Sequence, residues 1–219
     1  MPESRQIPNN RNSSIPSVEV VIEGEVVPRS FKLIEFVVTK EVNRIAFAKL
    51  LFADGDIAAG TFALSDSEWM DNGKEISISC GYGGNVEEVF KGIVWKHRIL
   101  VKNDQSVLQV EARDKAVLLT MSEKNKVFEK MHDGDVVDEI AVNAGQNLDI
   151  SADFSFVHEK MVQYGSTDWD FIVSRVEANA LMVRTEKNTL EVFKPDTTQD
   201  PKIDLVLGAT ILELDTELT

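Results

Sequence analysis

The sequence contains one cysteine, Cys80, which excludes an internal disulfide framework and a multi-cysteine metal site. It lies in Ile76-Ser-Ile-Ser-Cys80 with no basic neighbour in sequence, so it reads as a small strand residue and not as an activated thiolate. No apolar run reaches the length of a membrane-spanning helix. The opening residues are polar and lack the apolar centre of a secretory signal, so synthesis and assembly in the cytoplasm are expected. Positive charge is also scarce, with 23 Lys and Arg against 37 Asp and Glu and a formal charge of −14. Such a surface repels phosphate backbones, and nucleic-acid binding is not expected.

Patterns that carry catalysis or ligand chemistry are missing too. His97, His132 and His158 are far apart and show no metal-ligand spacing. Gly165-Ser-Thr167 lacks the second glycine and the spacing of a nucleophile elbow. Gly81-Tyr-Gly-Gly-Asn85 is not followed by the Lys-Ser/Thr and helix of a phosphate loop, and reads as a hairpin turn. Asp54-Gly-Asp56 is too short for a calcium loop; its acids suit turn chemistry. The carboxylates Glu87/Glu88 and Asp168/Asp170 point to different faces of their elements. No catalytic, cofactor-binding or metal residue is assigned, and the chain reads as non-enzymatic.

What is present is strand sequence. With 219 residues, 43% apolar and 27% charged, the chain can bury one large core or two small ones. Runs at 18–24, 30–39, 44–52, 75–80, 87–101 and 106–112 are rich in β-branched and aromatic residues, and several alternate with period two. Glycine suggests a bulge at Gly92. Lys96, His97 and Arg98 make a small basic spot, read as a solvated strand edge that discourages wrong pairing. A short helix is expected over 114–120, and Lys124-Asn-Lys126 reads as a polar break. Asp135 is placed as an N-cap for a helix bearing Val136, Val137, Ile140, Ala141 and Ala144 on one face, with Gly145 as its stop. A hairpin follows at 181–193 around Glu186-Lys-Asn188. Pro195–Pro201 reads as a loop, and 204–208 and 210–214 as strands. An ending within strand-like sequence leads us to expect a longer protein.

The most informative stretch is 161–180. Met161–Tyr164 reads as strand, Gly165 as a turn, and Thr167 with Asp170 as a capping-box-like start. Trp169, Ile172, Val173 and Val176 then recur as one apolar helical face. From the residues alone this is a core-packing helix.

Gln163-Tyr-Gly-Ser-Thr-Asp-Trp-Asp-Phe171, a helix, and then Leu181-Met-Val183 resemble the hub region of VgrG-type spike proteins of type VI secretion. The same pattern is similar to phage late control D and contractile-phage baseplate hub proteins. Val89-Phe-Lys-Gly-Ile-Val94, Val107–Ala112, Ala116–Thr120 and the helix ending at Ala144-Gly145 follow the family order. The family-motif residues are Gln163, Tyr164, Thr167, Asp168, Trp169 and Phe171, in a structural role. Thr167 stands where the family has Ser, and Asn179-Ala180 where it often has Gly.

The resemblance implies a β-rich α+β fold of antiparallel, barrel-like hub domains with short flanking helices. It divides the chain into a flexible N-terminal arm (1–16), a first barrel-like hub domain (17–122), and an α+β region with the start of a second hub lobe (123–219) continuing beyond Thr219. It further implies a homotrimer that adapts a hexameric inner-tube protein to a spike in a contractile injection system. Spike-tip proteins, baseplate proteins and effector cargo are the further partners, and this segment does not insert into a membrane. Two other classes compete with it. One is a stand-alone β-rich ligand-binding domain with a cleft near Trp95 or Trp169. The other is a glycan hydrolase, which needs a carboxylate pair in a cleft.

Overall fold

The computed structural model describes residues 16–55, 61–82, 85–102, 105–196, 198–199, 205–208, 211 and 213–217. Most of the expected arm (1–15), the turn tips 83–84 and 103–104, and Asp56 lie outside the described residues. Residues 16–195 form one compact unit; 1–15 with 196–219 are grouped as another.

Seven strands build the first layer: β1 (Pro16–Ile22), β2 (Glu25–Val26), β3 (Leu33–Thr39), β4 (Phe47–Ala53), β5 (Glu75–Tyr82), β6 (Asn85–Lys102) and β7 (Gln105–Arg113). They pair in the order β2-β1-β5-β6-β7-β4-β3, with every ladder antiparallel. Their period-two patterns put Val20, Ile22, Leu50, Phe52, Ile78, Phe90, Leu108 and Val110 into a single core. Among the described residues no α-helix packs on that face; Leu64 and Met70, the latter from a short 3-10 helix (Glu68–Met70) in the β4–β5 connection, join its core. Among the described residues no ladder joins β3 to β1 or β2, so the sheet is open and not a closed barrel.

Gly92 is not the bulge. The extra residues in β6 are Val89, where Ile78 pairs Phe90 but Ser79 pairs Glu88, and Trp95, between the pairs Val94–Ala112 and Lys96–Glu111. Gly92 meets a different need: a Cβ there would lie 2.2 Å from the Arg113 carbonyl oxygen. The sheet bends too tightly at that point for a side chain. At the β4 end, Asp54 is buried, and its carboxylate accepts the backbone N–H groups of Leu64 and Ser65 at 2.9 and 2.8 Å. The expected turn chemistry is therefore a clamp on a chain segment ten residues away.

A second core gathers a 3-10 helix (Lys115–Thr120), a two-stranded ribbon of β8 (Glu123–His132) with β10 (Val157–Thr167), α1 (Asp133–Asn143), α2 (Asp168–Ala178), and a small sheet. That sheet pairs β11 (Met182–Glu186) with β12 (Thr189–Phe193), and β12 in parallel with β9 (Asn147–Ile150). Lys124-Asn-Lys126 is not a break: it lies within β8, where Lys124 and Lys126 pair with Asp168 and Glu139 and Asn125 accepts the Gly165 N–H. Asp135 is not the N-cap of α1. His132 holds that place, and Asp135, at the third helical position, accepts its backbone N–H at 3.1 Å. Gly145, at φ 65°, does stop α1, with Gln146 N–H returning to the Ala141 carbonyl. Lys187 and Asn188 make the hairpin turn with φ of 51° and 64°. The strands expected at 204–214 are absent among the described residues, which hold there only a bridge between Leu207 and Ile211.

Candidate interaction surface

The motif residues form a clasp at the junction of β8, β10 and α2. Gln163 is almost fully buried, and its amide donates to the Ser166 carbonyl at 3.1 Å and to Asp168 Oδ1 at 3.0 Å. Asp168, also buried, takes Lys124 of β8 on its other oxygen. Gly165 adopts φ 55° and donates its N–H to Asn125 Oδ1, which secures the register shift between Gln163 and Ser166. Thr167 caps α2 by accepting the Asp170 N–H at 3.1 Å, while its hydroxyl donates to the Asp170 carboxylate at 2.7 Å. Trp169 and Phe171 are buried in the second core, and Phe171 stacks on Phe128 of β8 at 5.8 Å. Tyr164 alone points outward, 83% exposed.

A second polar cluster ties α1, β10 and α2 together. Buried Asp133 lies 3.0 Å from His158 Nε2, 2.9 Å from Asn179 Nδ2 and 3.1 Å from Arg175 Nε. Its carboxylate is at the N-terminal end of α1, where the helix dipole favours a negative charge. The two cores are joined at Asp114, whose carboxylate accepts N–H groups from Ala116 and Asn188. Burial holds its pKa above the ordinary 3.8, against the lowering effect of those two bonds.

Two of the three histidines serve this framework. His132 Nδ1 lies 3.1 Å from the Phe156 carbonyl, and His158 belongs to the Asp133 cluster. Among the described residues no three His, Cys, Asp or Glu side chains gather as a metal site requires. Trp169 is core, and the Trp95 ring is covered by the Arg113 guanidinium at 5.9 Å.

The exposed feature of note is the far half of β6. β5 pairs with β6 only over Asn85–Ile93, so Lys96–Lys102 have β7 on one side and no described strand on the other. On the outer face Lys96 and Arg98 stand opposite Glu111 and Gln109. With Lys49 of β4 they line a cleft of about 310 Å³. Glu111 is itself covered: burial pushes its pKa up, but bonds from Arg113 and Lys96 outweigh that and hold it below 4.5. The cluster is therefore net positive on a strongly acidic chain. On the inner face His97 and Ile99 stand opposite Val110 and Leu108, which are fully buried. Ile99, Leu100 and Val101 are 42%, 38% and 57% exposed. The sequence indicated the basic edge; the apolar residues beside it were hidden, because an internal strand would carry the same pattern.

Residues 12–219 match the profile of the Alg8 N-terminal domain. The chain belongs to that family. Comparison with curated proteins finds no match.

Solved structures share the fold of this Alg8 N-terminal domain. The 43 kDa tail protein of prophage MuSo2 from Shewanella oneidensis has a TM-score of 0.68 at 13% identity, over 84% of this chain and 55% of that one. The E. coli c3393 protein, described as a type VI secretion component structurally similar to T4 tail proteins gp27 and gp5, has a TM-score of 0.60 at 15% identity over 83% and 50%. A Francisella PdpA-VgrG complex matches with a TM-score of 0.53 at 11% identity over 81% and 31%. The chain thus spans about half the length of the first two proteins it matches. The resemblance to spike and tail hubs holds at the level of the fold, which is β-rich α+β around a seven-stranded antiparallel sheet. Among the described residues no helix is long and apolar enough to cross a membrane.

Proposed function

We propose that this chain is a structural, non-enzymatic part of the hub in a contractile injection system, working as a homotrimer that adapts a hexameric inner tube to a spike. One observation carries the reading: among the described residues the seven-stranded sheet is open, and its longest strand ends in an edge that no described strand pairs, flanked by exposed Ile99, Leu100 and Val101. A bare edge with apolar side chains is a pairing template, and ring assembly is a way of covering it without aggregation. The fold shared with tail and secretion proteins supports the same reading.

On this proposal residues 17–122 are the first, barrel-like lobe, closed by its neighbours in the ring, and 123–219 begin the second. Two related lobes in each of three chains present a pseudo-sixfold face to the tube. The motif residues from Gln163 to Phe171 keep the second lobe rigid and touch no partner except through Tyr164. Spike-tip and baseplate proteins, with any cargo, attach to the assembled ring. Assembly takes place in the cytoplasm.

Titration against the purified tube hexamer tests the adaptor role. Saturation at three chains per hexamer is expected. Absence of binding, or saturation by single independent chains, would refute it.

A further inference from the structure

The bare half of β6 has two chemically distinct faces. Lys96, Arg98 and, at its far end, Leu100 lie on the outer side, and His97, Ile99 and Val101 on the inner side. A strand that adds here must alternate in step, with acids outward and apolar groups inward. The sequence Glu213-Leu-Asp-Thr-Glu217 has that alternation, and in sequence Leu212 extends its apolar side. These five residues are described without regular secondary structure, all are exposed, and Leu214 is 59% exposed.

We infer that residues 213–217 of a second copy of this chain add as an antiparallel strand to the Lys96–Val101 edge of β6. The inference rests on the trimeric-hub reading and names the contact that closes the ring. In antiparallel register, setting Leu214 opposite Ile99 places Asp215 opposite Arg98, Glu217 opposite Lys96 and Thr216 opposite His97, with Glu213 beside Leu100 at the end of the outer face. A one-residue slip would turn the acids onto the apolar face, so the side-chain chemistry selects the register. The contact is heterologous: the edge of one copy receives the segment of the next, which is the geometry that generates a closed ring. Charge complementarity favours a second copy as occupant. The chain carries −14 overall, whereas this edge is lined by Lys49, Lys96 and Arg98 around a carboxylate already neutralised by Arg113 and Lys96.

The test uses the full chain with Cys80→Ser. Ile99→Cys with Leu214→Cys, mildly oxidised, is expected to give disulfide-linked multimers up to trimer on a non-reducing gel. Independently, Lys96→Glu with Arg98→Glu is expected to raise the concentration at which the assembly dissociates by roughly tenfold or more, because like charges then face each other. Adding Asp215→Lys and Glu217→Lys to that variant restores assembly, a rescue that a merely misfolded variant cannot show. Thermal melts of each variant check folding. If the parent is a trimer but cross-links form only within one chain or not at all, and the charge variants assemble normally, the strand contact is wrong and the hub reading survives. If the parent is a monomer at every concentration, the hub reading itself fails.

Discussion

Replacing Asp168 by Ala removes the centre of the motif clasp. The magnitude follows from its three contacts. Gln163 is almost fully buried and would keep the Ser166 carbonyl but lose the acceptor for its other amide hydrogen, and an unpaired buried donor costs about 1–3 kcal/mol. Lys124 is nearly half exposed, so it returns to water, and its share of the ion pair contributes below about 1 kcal/mol. The acid also stands in the first turn of α2, where the helix dipole contributes about 0.3–1 kcal/mol. Together these give a loss of about 3 kcal/mol, or a melting point lower by about 6–12 °C in a chain of this size. Urea titration with circular dichroism measures it directly, and an unchanged slope would show that the unfolding transition keeps its character. Lys124→Ala serves as the control and should cost less than about 1 kcal/mol. If Asp168→Ala shifts stability by less than the control does, the clasp is not what fixes the motif.

Further outcomes follow from the same geometry. Trp169→Ala should destabilise by about 3–5 kcal/mol, because the ring is buried in the second core; an unchanged calorimetric melt would contradict that packing. Ala180 sits at φ 55° just past α2, with the Leu181 N–H returning to Val176, so Ala180→Gly should stabilise by about 1 kcal/mol in urea titration. Acid dependence should come from Glu111 and Asp114 with opposite signs. Glu111 has a folded pKa below 4.5, so its stabilising contribution is present above the ordinary value and lost as pH falls through the folded one. Asp114 has a folded pKa above 3.8, so its contribution is full below 3.8 and lost as pH rises through the folded value. Melts across the acid range should therefore show Glu111→Gln flattening the acid loss, and Asp114→Asn gaining on the parent as pH rises from 3.8 through the folded value.

Much of this fold was legible because its strands advertise themselves. The runs at 75–80 and 106–112 largely alternate and 44–52 is apolar almost throughout, and each buries one face in the first core. The clasp was legible at Thr167 and Asp170, where capping depends on residues three apart. Other elements escaped for physical reasons. β8 is polar over Glu123–Lys126, whose lysines pair with Asp168 and Glu139, and buries only Phe128 deeply, so its polarity masks a strand that depends on β10 for its form. β9 is four residues long and gains its order from a parallel partner more than forty residues away. The bulges at Val89 and Trp95 carry no glycine, while Gly92, which looked like one, is dictated by the approach of Arg113. The tail at 204–214 has strand-like composition, and its described residues hold one bridge, between Leu207 and Ile211, while 204, 209, 210 and 212 lie outside the described residues. The Asp133 cluster draws on residues 25 to 46 positions apart and has no local signature. The same holds for the bare edge of β6, which exists because β5 ends at Glu75, opposite Ile93, while β6 runs on to Lys102.

That edge makes assembly the central claim, and solution mass is its most direct test. Light scattering of the full chain over a concentration series should give three chains per particle, with dissociation promoted by salt as the charged edge is screened. A single-chain mass at every concentration would contradict the account.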